Sequence, residues 1–98
     1  MKYGLLVPFH PEFQVSIYPN PFTTSFSCSF ALEQSARVSL TIYDLHGREI
    51  EKILDDRLYG AGEHRIDRES PDLPAAIYIA VLRLNGQIVS SDKVIKLQ

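Results

Sequence analysis

Three histidines, a single cysteine and a few acid pairs are the side chains here whose types could do chemistry. A zinc site needs several such ligands to converge. His10 lies in a proline-bearing lead-in, His46 in a turn and His64 on a strand, so the imidazoles read as surface or partly packed groups. Cys28 has no cysteine partner, which excludes an internal disulfide. No basic residue adjoins it in sequence to lower its pKa, so it reads as a small buried apolar side chain. Asp55 and Asp56 are adjacent, and neighbours on a strand point to opposite faces, a poor geometry for a catalytic carboxylate pair. Asp67 and Glu69 fall in a polar stretch without the repeated Asp/Asn/Gly pattern of a calcium loop. Ser25, Ser27, Ser29, Ser90 and Ser91 lack the flanking glycines of a nucleophile elbow. There is no glycine-rich phosphate loop. The expectation is no catalytic residue, no metal and no cofactor.

The elements that would position these residues are strands. Apolar residues recur at every second position, and turn residues interrupt them at short intervals. Residues 1–12, with Pro8 and Pro11, read as a linker or irregular lead-in, and 13–98 as one domain. A first strand spans about Phe13 to Tyr18 and is stopped by Pro19-Asn20-Pro21, because proline donates no ladder bond. The second, about Thr24 to Leu32, turns Phe26, Cys28, Phe30 and Leu32 inward and its serines outward. The third, about Arg37 to Tyr43, ends in the tight turn Asp44-Leu45-His46-Gly47.

A fourth strand, about Arg48 to Leu54, is irregular and placed near an edge. Gly60 and Gly62 mark a loop, and a fifth strand covers about Glu63 to Asp67. The sixth, Ala76 to Leu84, is apolar on both faces and therefore central or covered. Its rows are Tyr78, Ala80, Leu82, Leu84 and Ile77, Ile79, Val81; the second row is either covered, the favoured reading, or an exposed docking patch. Asn85-Gly86 then sets a two-residue hairpin into a last strand, about Gln87 to Leu97. About seven short antiparallel strands imply an all-β, immunoglobulin-like sandwich. Tyr78 stands where such sandwiches tie a buried tyrosine hydroxyl to backbone.

At 98 residues the chain is long enough for one modest core. Its 45% apolar and 22% charged content is that of a globular domain, and the net charge of -2 argues against a nucleic-acid partner. No stretch approaches the roughly 20 apolar residues of a membrane span. Near the start, Gly4 to Val7 is cut short by Pro8 and makes no signal-peptide core. Such a chain is either cytoplasmic or the tail of a longer precursor.

Three segments in order resemble one family. IYPNPF (17–22) is similar to its opening signature, and VSLTIYDLHGREIEKIL (38–54) to its central block. DLPAAIYIAVLRLNGQIVSSDKVIKL (72–97) is similar to its closing block, with Gly62-Glu63-His64 as the spacer. The family is the type A C-terminal sorting domain of the bacterial type IX secretion system. Ala76 departs from it, standing where the family usually has glycine.

The resemblance implies motif and recognition positions at Pro19, Asn20, Pro21, Asp44, Gly47, Arg48 and Tyr78, and in the final strand at Lys93, Val94, Ile95, Lys96 and Leu97. It implies a non-catalytic signal carried behind an N-terminal passenger, in transit through the periplasm to the cell surface or beyond. Its partners would be the outer-membrane machinery and a sortase that cuts before about Phe13, without membrane insertion. Two alternatives stand beside it: a scaffold module similar to the Ig-like domain of flagellar hook-capping proteins, and a carbohydrate-binding accessory domain.

Overall fold

The period-two alternation becomes a strand wherever one side chain in two has a core to enter. The computed structural model describes residues 15–98. Seven strands follow one another: β1 (Val15–Tyr18), β2 (Ser25–Leu32), β3 (Ala36–Tyr43), β4 (Glu49–Tyr59), β5 (Gly62–Glu69), β6 (Ala76–Leu84) and β7 (Gln87–Lys96). They form two antiparallel sheets, β1-β2-β5 and β4-β3-β6-β7. The described chain is all-β, an immunoglobulin-like sandwich. Phe13, His10 and the expected 1–12 lead-in lie outside the described residues.

The inner rows make the core. Phe26, Cys28, Phe30 and Leu32 of β2 meet Val38, Leu40 and Ile42 of β3, Tyr78, Ala80 and Leu82 of β6, and Val94 of β7. Full burial of one such large side chain stabilises by roughly 1.5–3 kcal/mol, so these rows set the register of both sheets. Glu51 of β4 and Arg68 of β5 form an ion pair between the sheets.

Two turns take the conformations their residues favour. Gly47 adopts φ 82°, and Asn85-Gly86 adopt φ 52° and 85°, the pair of positive values a primed hairpin needs. Asn85 also accepts the Arg37 amide on its side-chain oxygen at 2.9 Å.

Two strands are longer than the sequence reading has them. β4 does not stop at Leu54 but runs to Tyr59, and β5 extends from Gly62 to Glu69. Asp55-Asp56 looked like a strand end, yet Asp56 takes φ 53°, and the β3–β4 register shifts between Val38 and Leu40. Such a bulge absorbs the acidic pair and lets pairing resume at Arg57. The Asp56 amide donates to Ser39 Oγ at 2.9 Å. β4 is an edge strand and β6 is central, as the sequence implied.

The outer row of β6 is graded, neither wholly covered nor wholly open. Ile77 is 38% exposed, Ile79 half-buried and Val81 only 6% exposed. Val81 pairs with Thr41 on β3, while Arg83 stands opposite Ser39 and Ile79 opposite Tyr43. Arg83 donates to the Tyr43 hydroxyl at 3.2 Å with its guanidinium 5.9 Å from the ring centre. That bridge passes over the Thr41–Val81 pair and covers it. Ile77 stands opposite Ile95 of β7 and stays exposed.

Candidate functional site

Pro19-Asn20-Pro21 ends β1 because neither proline can donate a ladder bond. What the segment does after leaving its sheet was not legible locally: it crosses to the other sheet and lies along the free edge of β7. The Tyr18–Pro19 and Asn20–Pro21 peptide bonds are cis. The Asn20 side-chain amide donates from Nδ2 to the Lys93 carbonyl at 2.7 Å. Its Oδ1 accepts the Ile95 amide at 2.9 Å. A carboxamide has one donor side and one acceptor side, as a peptide group has, so it can stand in for a neighbouring strand.

Backbone continues where the side chain leaves off. The Phe22 amide donates to the Ile95 carbonyl at 2.9 Å, and the Leu97 amide to the Phe22 carbonyl at 2.8 Å. Phe22 and Lys96 form a parallel bridge there. The Phe22 ring is buried, 4.9 Å from the ring centre of Phe26. Sequence reading missed Phe22; a large apolar residue directly after Pro21 was the available signal. Lys96 Nζ sits 6.0 Å from the Phe22 ring centre and donates to the Leu97 carbonyl at 2.9 Å.

The opening motif and the terminal strand, far apart in sequence, are thus one structure. Within the strand, Val94 and Lys96 are buried, Ile95 is half-buried, and Lys93 and Leu97 are exposed. Lys96 is thus held against the Phe22 side of the strand, and Lys93 is the lysine of the strand that stands exposed.

The other motif residues lie elsewhere. Asp44 caps its own turn: Oδ1 accepts the His46 and Arg48 amides at 2.8 and 3.0 Å, and Oδ2 accepts Arg48 Nε at 2.9 Å. The Arg48 amide above all, then the guanidinium and the His46 amide, hold the Asp44 carboxyl below the ordinary carboxylate range. Gly47 donates to the Asp44 carbonyl at 3.1 Å. Asp44, Gly47 and Arg48 therefore build a turn. The Tyr78 hydroxyl donates to the Pro74 carbonyl at 2.5 Å, the tie to backbone expected of that position. Burial, with a smaller push from Asp44, raises its pKa and keeps the proton in place to donate.

The residues weighed for chemistry are engaged in other ways. His64 Nε2 lies 2.7 Å from the Gly60 carbonyl, a contact that requires the proton on that nitrogen. The ring packs edge-on to Tyr59 at 4.8 Å. Ser29 Oγ bonds the Tyr18 hydroxyl at 2.7 Å rather than the imidazole, although both line one open hollow of about 530 Å³. Ser27 donates to Asp67 at 2.6 Å, and Arg65 also pairs with Asp67. Burial, then Asp92, pushes the Cys28 thiol up to about 11. Among the described residues no group of three or more His, Cys, Asp or Glu could hold a metal ion, and no helix is long and apolar enough to cross a membrane.

Fold and site together define a class: a small immunoglobulin-like module whose distinctive feature is a closed sheet edge at its terminal strand. The chain belongs to the family of secretion system C-terminal sorting domains, whose model matches residues 16–97. No individual curated protein matches it. A sorting domain of the type IX system implies a passenger ahead of it, a machinery that reads it, and export to the cell surface or the extracellular space.

Proposed function

We propose that this domain is a non-catalytic address: it directs an N-terminal passenger across the bacterial outer membrane by type IX secretion and is then removed by a sortase. The observation that carries the reading is the junction of Asn20 and Phe22 with Lys93 to Leu97, which welds the opening and closing family motifs into one feature. The domain travels through the periplasm already folded, and the machinery meets the terminal strand in that state. The cut falls before about Phe13, in the proline-bearing stretch 1–12. Within the terminal strand, the exposed members of the recognition set are Lys93 and Leu97, with Ile95 half-exposed beside them.

The test is a reporter fused between an export signal and this chain, expressed in a type IX-competent host. The fusion reaches the medium or the cell surface, and deletion of residues 93–97 leaves it inside the cell. Undiminished export of the truncated fusion refutes the reading.

A further inference from the structure

Four backbone groups line the outer edge of β7 in its last turns: the Lys93 carbonyl, the Ile95 amide and carbonyl, and the Leu97 amide. All four are engaged by the chain's own residues 20–22. A partner that added a strand along 93–97 would need these same groups. The segment occupying them is not loosely laid on, since the Phe22 ring is buried in the core beside Phe26. Peeling the segment away would expose that ring to water.

We infer that Asn20 is the positioning residue of the recognition strand: its carboxamide closes the outer edge of β7, so that the secretion machinery reads residues 93–97 by their side chains and not by strand addition. The inference rests on the sorting reading. With the edge closed, what this strand offers outward is the Lys93 ammonium, the half-exposed Ile95 and the exposed Leu97, next to Ile77 across the ladder. An apolar group beside an unpaired cation fits a protein surface carrying apolar side chains and a carboxylate. Lys93 has no acidic partner within ion-pair distance among the described residues. Asn suits its place because its short side chain carries a donor and an acceptor on separate atoms, set apart as in a peptide group. Aspartate would keep the acceptor for the Ile95 amide and set a second oxygen against the Lys93 carbonyl.

The test uses the reporter fusion with Asn20→Ala, with Asn20→Asp, and with a control on the far sheet, Ile66→Val or Ile66→Ala, chosen to match the thermal midpoint of the Asn20 variant. Amide hydrogen exchange on the 98-residue chain shows whether the Ile95 and Leu97 amides have opened. The expected result is at least a tenfold loss of export for Asn20→Ala relative to the stability-matched control, with the Ile95 amide exchanging at least tenfold faster. Should Asn20→Ala not fold, Asn20→Asp carries the same comparison.

A second arm, Lys93→Glu with Ile95→Thr, is expected to lose export while edge protection stays intact. Export of the Asn20 variant at or above the control overturns the inference, since an opened edge would then be harmless or helpful. Normal export of the Lys93/Ile95 variant overturns the side-chain reading. A wild-type fusion that is never exported overturns the sorting assignment and this inference with it.

Discussion

The two edges of the four-stranded sheet solve one problem in different ways. An exposed edge strand presents unpaired amides and carbonyls, and is an open template for another chain. At β4 the defence is local and made of irregularity. The ladder to β3 shifts register three times, Asp56 takes φ 53°, and charged Lys52, Asp55, Asp56 and Arg57 line the strand. At β7 the defence comes from a distance: residues 20–22 leave the other sheet and occupy the edge. A bulged edge is protected by being unsuitable for pairing. Under the strap the β6–β7 ladder keeps its register from Ser90 to Lys96, and the side chains there hold a fixed spacing on the outer face. That is the more useful arrangement for a strand that has to be read.

The largest break in this comparison is Phe22→Ala. It removes the buried anchor of the strap and should destabilise by about 3–5 kcal/mol. For a domain of this size that lowers the thermal midpoint by more than about 12 °C, and calorimetry of the purified chain would measure it. A midpoint within a few degrees of wild type would mean that the strap is an ornament on the edge.

Tyr78→Phe tests the support beneath the same region. It leaves the Pro74 carbonyl without its donor, next to the β6–β7 ladder. The expected loss is about 1–2 kcal/mol by denaturant unfolding, with unchanged dependence on denaturant.

On the opposite edge, Asp56→Ala places a side chain with no local hydrogen-bonding ability at positive φ. It should cost about 1 kcal/mol. The effect should stay confined to β4, with faster amide exchange around residues 55–58 and none at Ile95. Spread to β7 would show that the two edges are coupled.

The smallest effect is electrostatic. The Asp44 carboxyl is held low in the folded state, chiefly by the Arg48 amide, so its contribution is complete above the ordinary carboxylate pKa near 4 and is lost as pH falls through the lowered folded value. Asp44→Asn should therefore narrow its stability gap to wild type as the pH drops below about 4. A gap that is constant from pH 7 to pH 3 would remove the ionised turn from the account.

Local pattern was enough for the elements whose partners are near in sequence or whose side chains alternate cleanly. β2, β3, β6 and the Asn85-Gly86 hairpin were legible because core rows and turn residues are written at single-residue resolution. The far half of β4 was not. Asp55-Asp56 is locally indistinguishable from a strand end, and only pairing with β3 shows that the ladder resumes. The strap was hidden for a different reason. Pro19 and Pro21 announce where β1 must stop, yet nothing nearby says that the intervening Asn20 will serve as a strand partner. The family motifs marked both ends of the contact as important, but not that they touch. Sequence pattern leaves the outer row of β6 open between covered and exposed, and the Arg83–Tyr43 bridge covers only Val81's portion of it.

The hydrogen bond between the Ile95 amide and Asn20 joins residues 75 positions apart. Contacts of such separation form late, because a long loop must close before they return any stability. During synthesis Asn20 emerges early and waits without its partner until the final strand has been made. A chain cut short within that strand leaves the Phe22 anchor without its backbone partners. Seating of the strap therefore reports on the far end of β7: a polypeptide that displays this edge fully closed has been translated through Leu97.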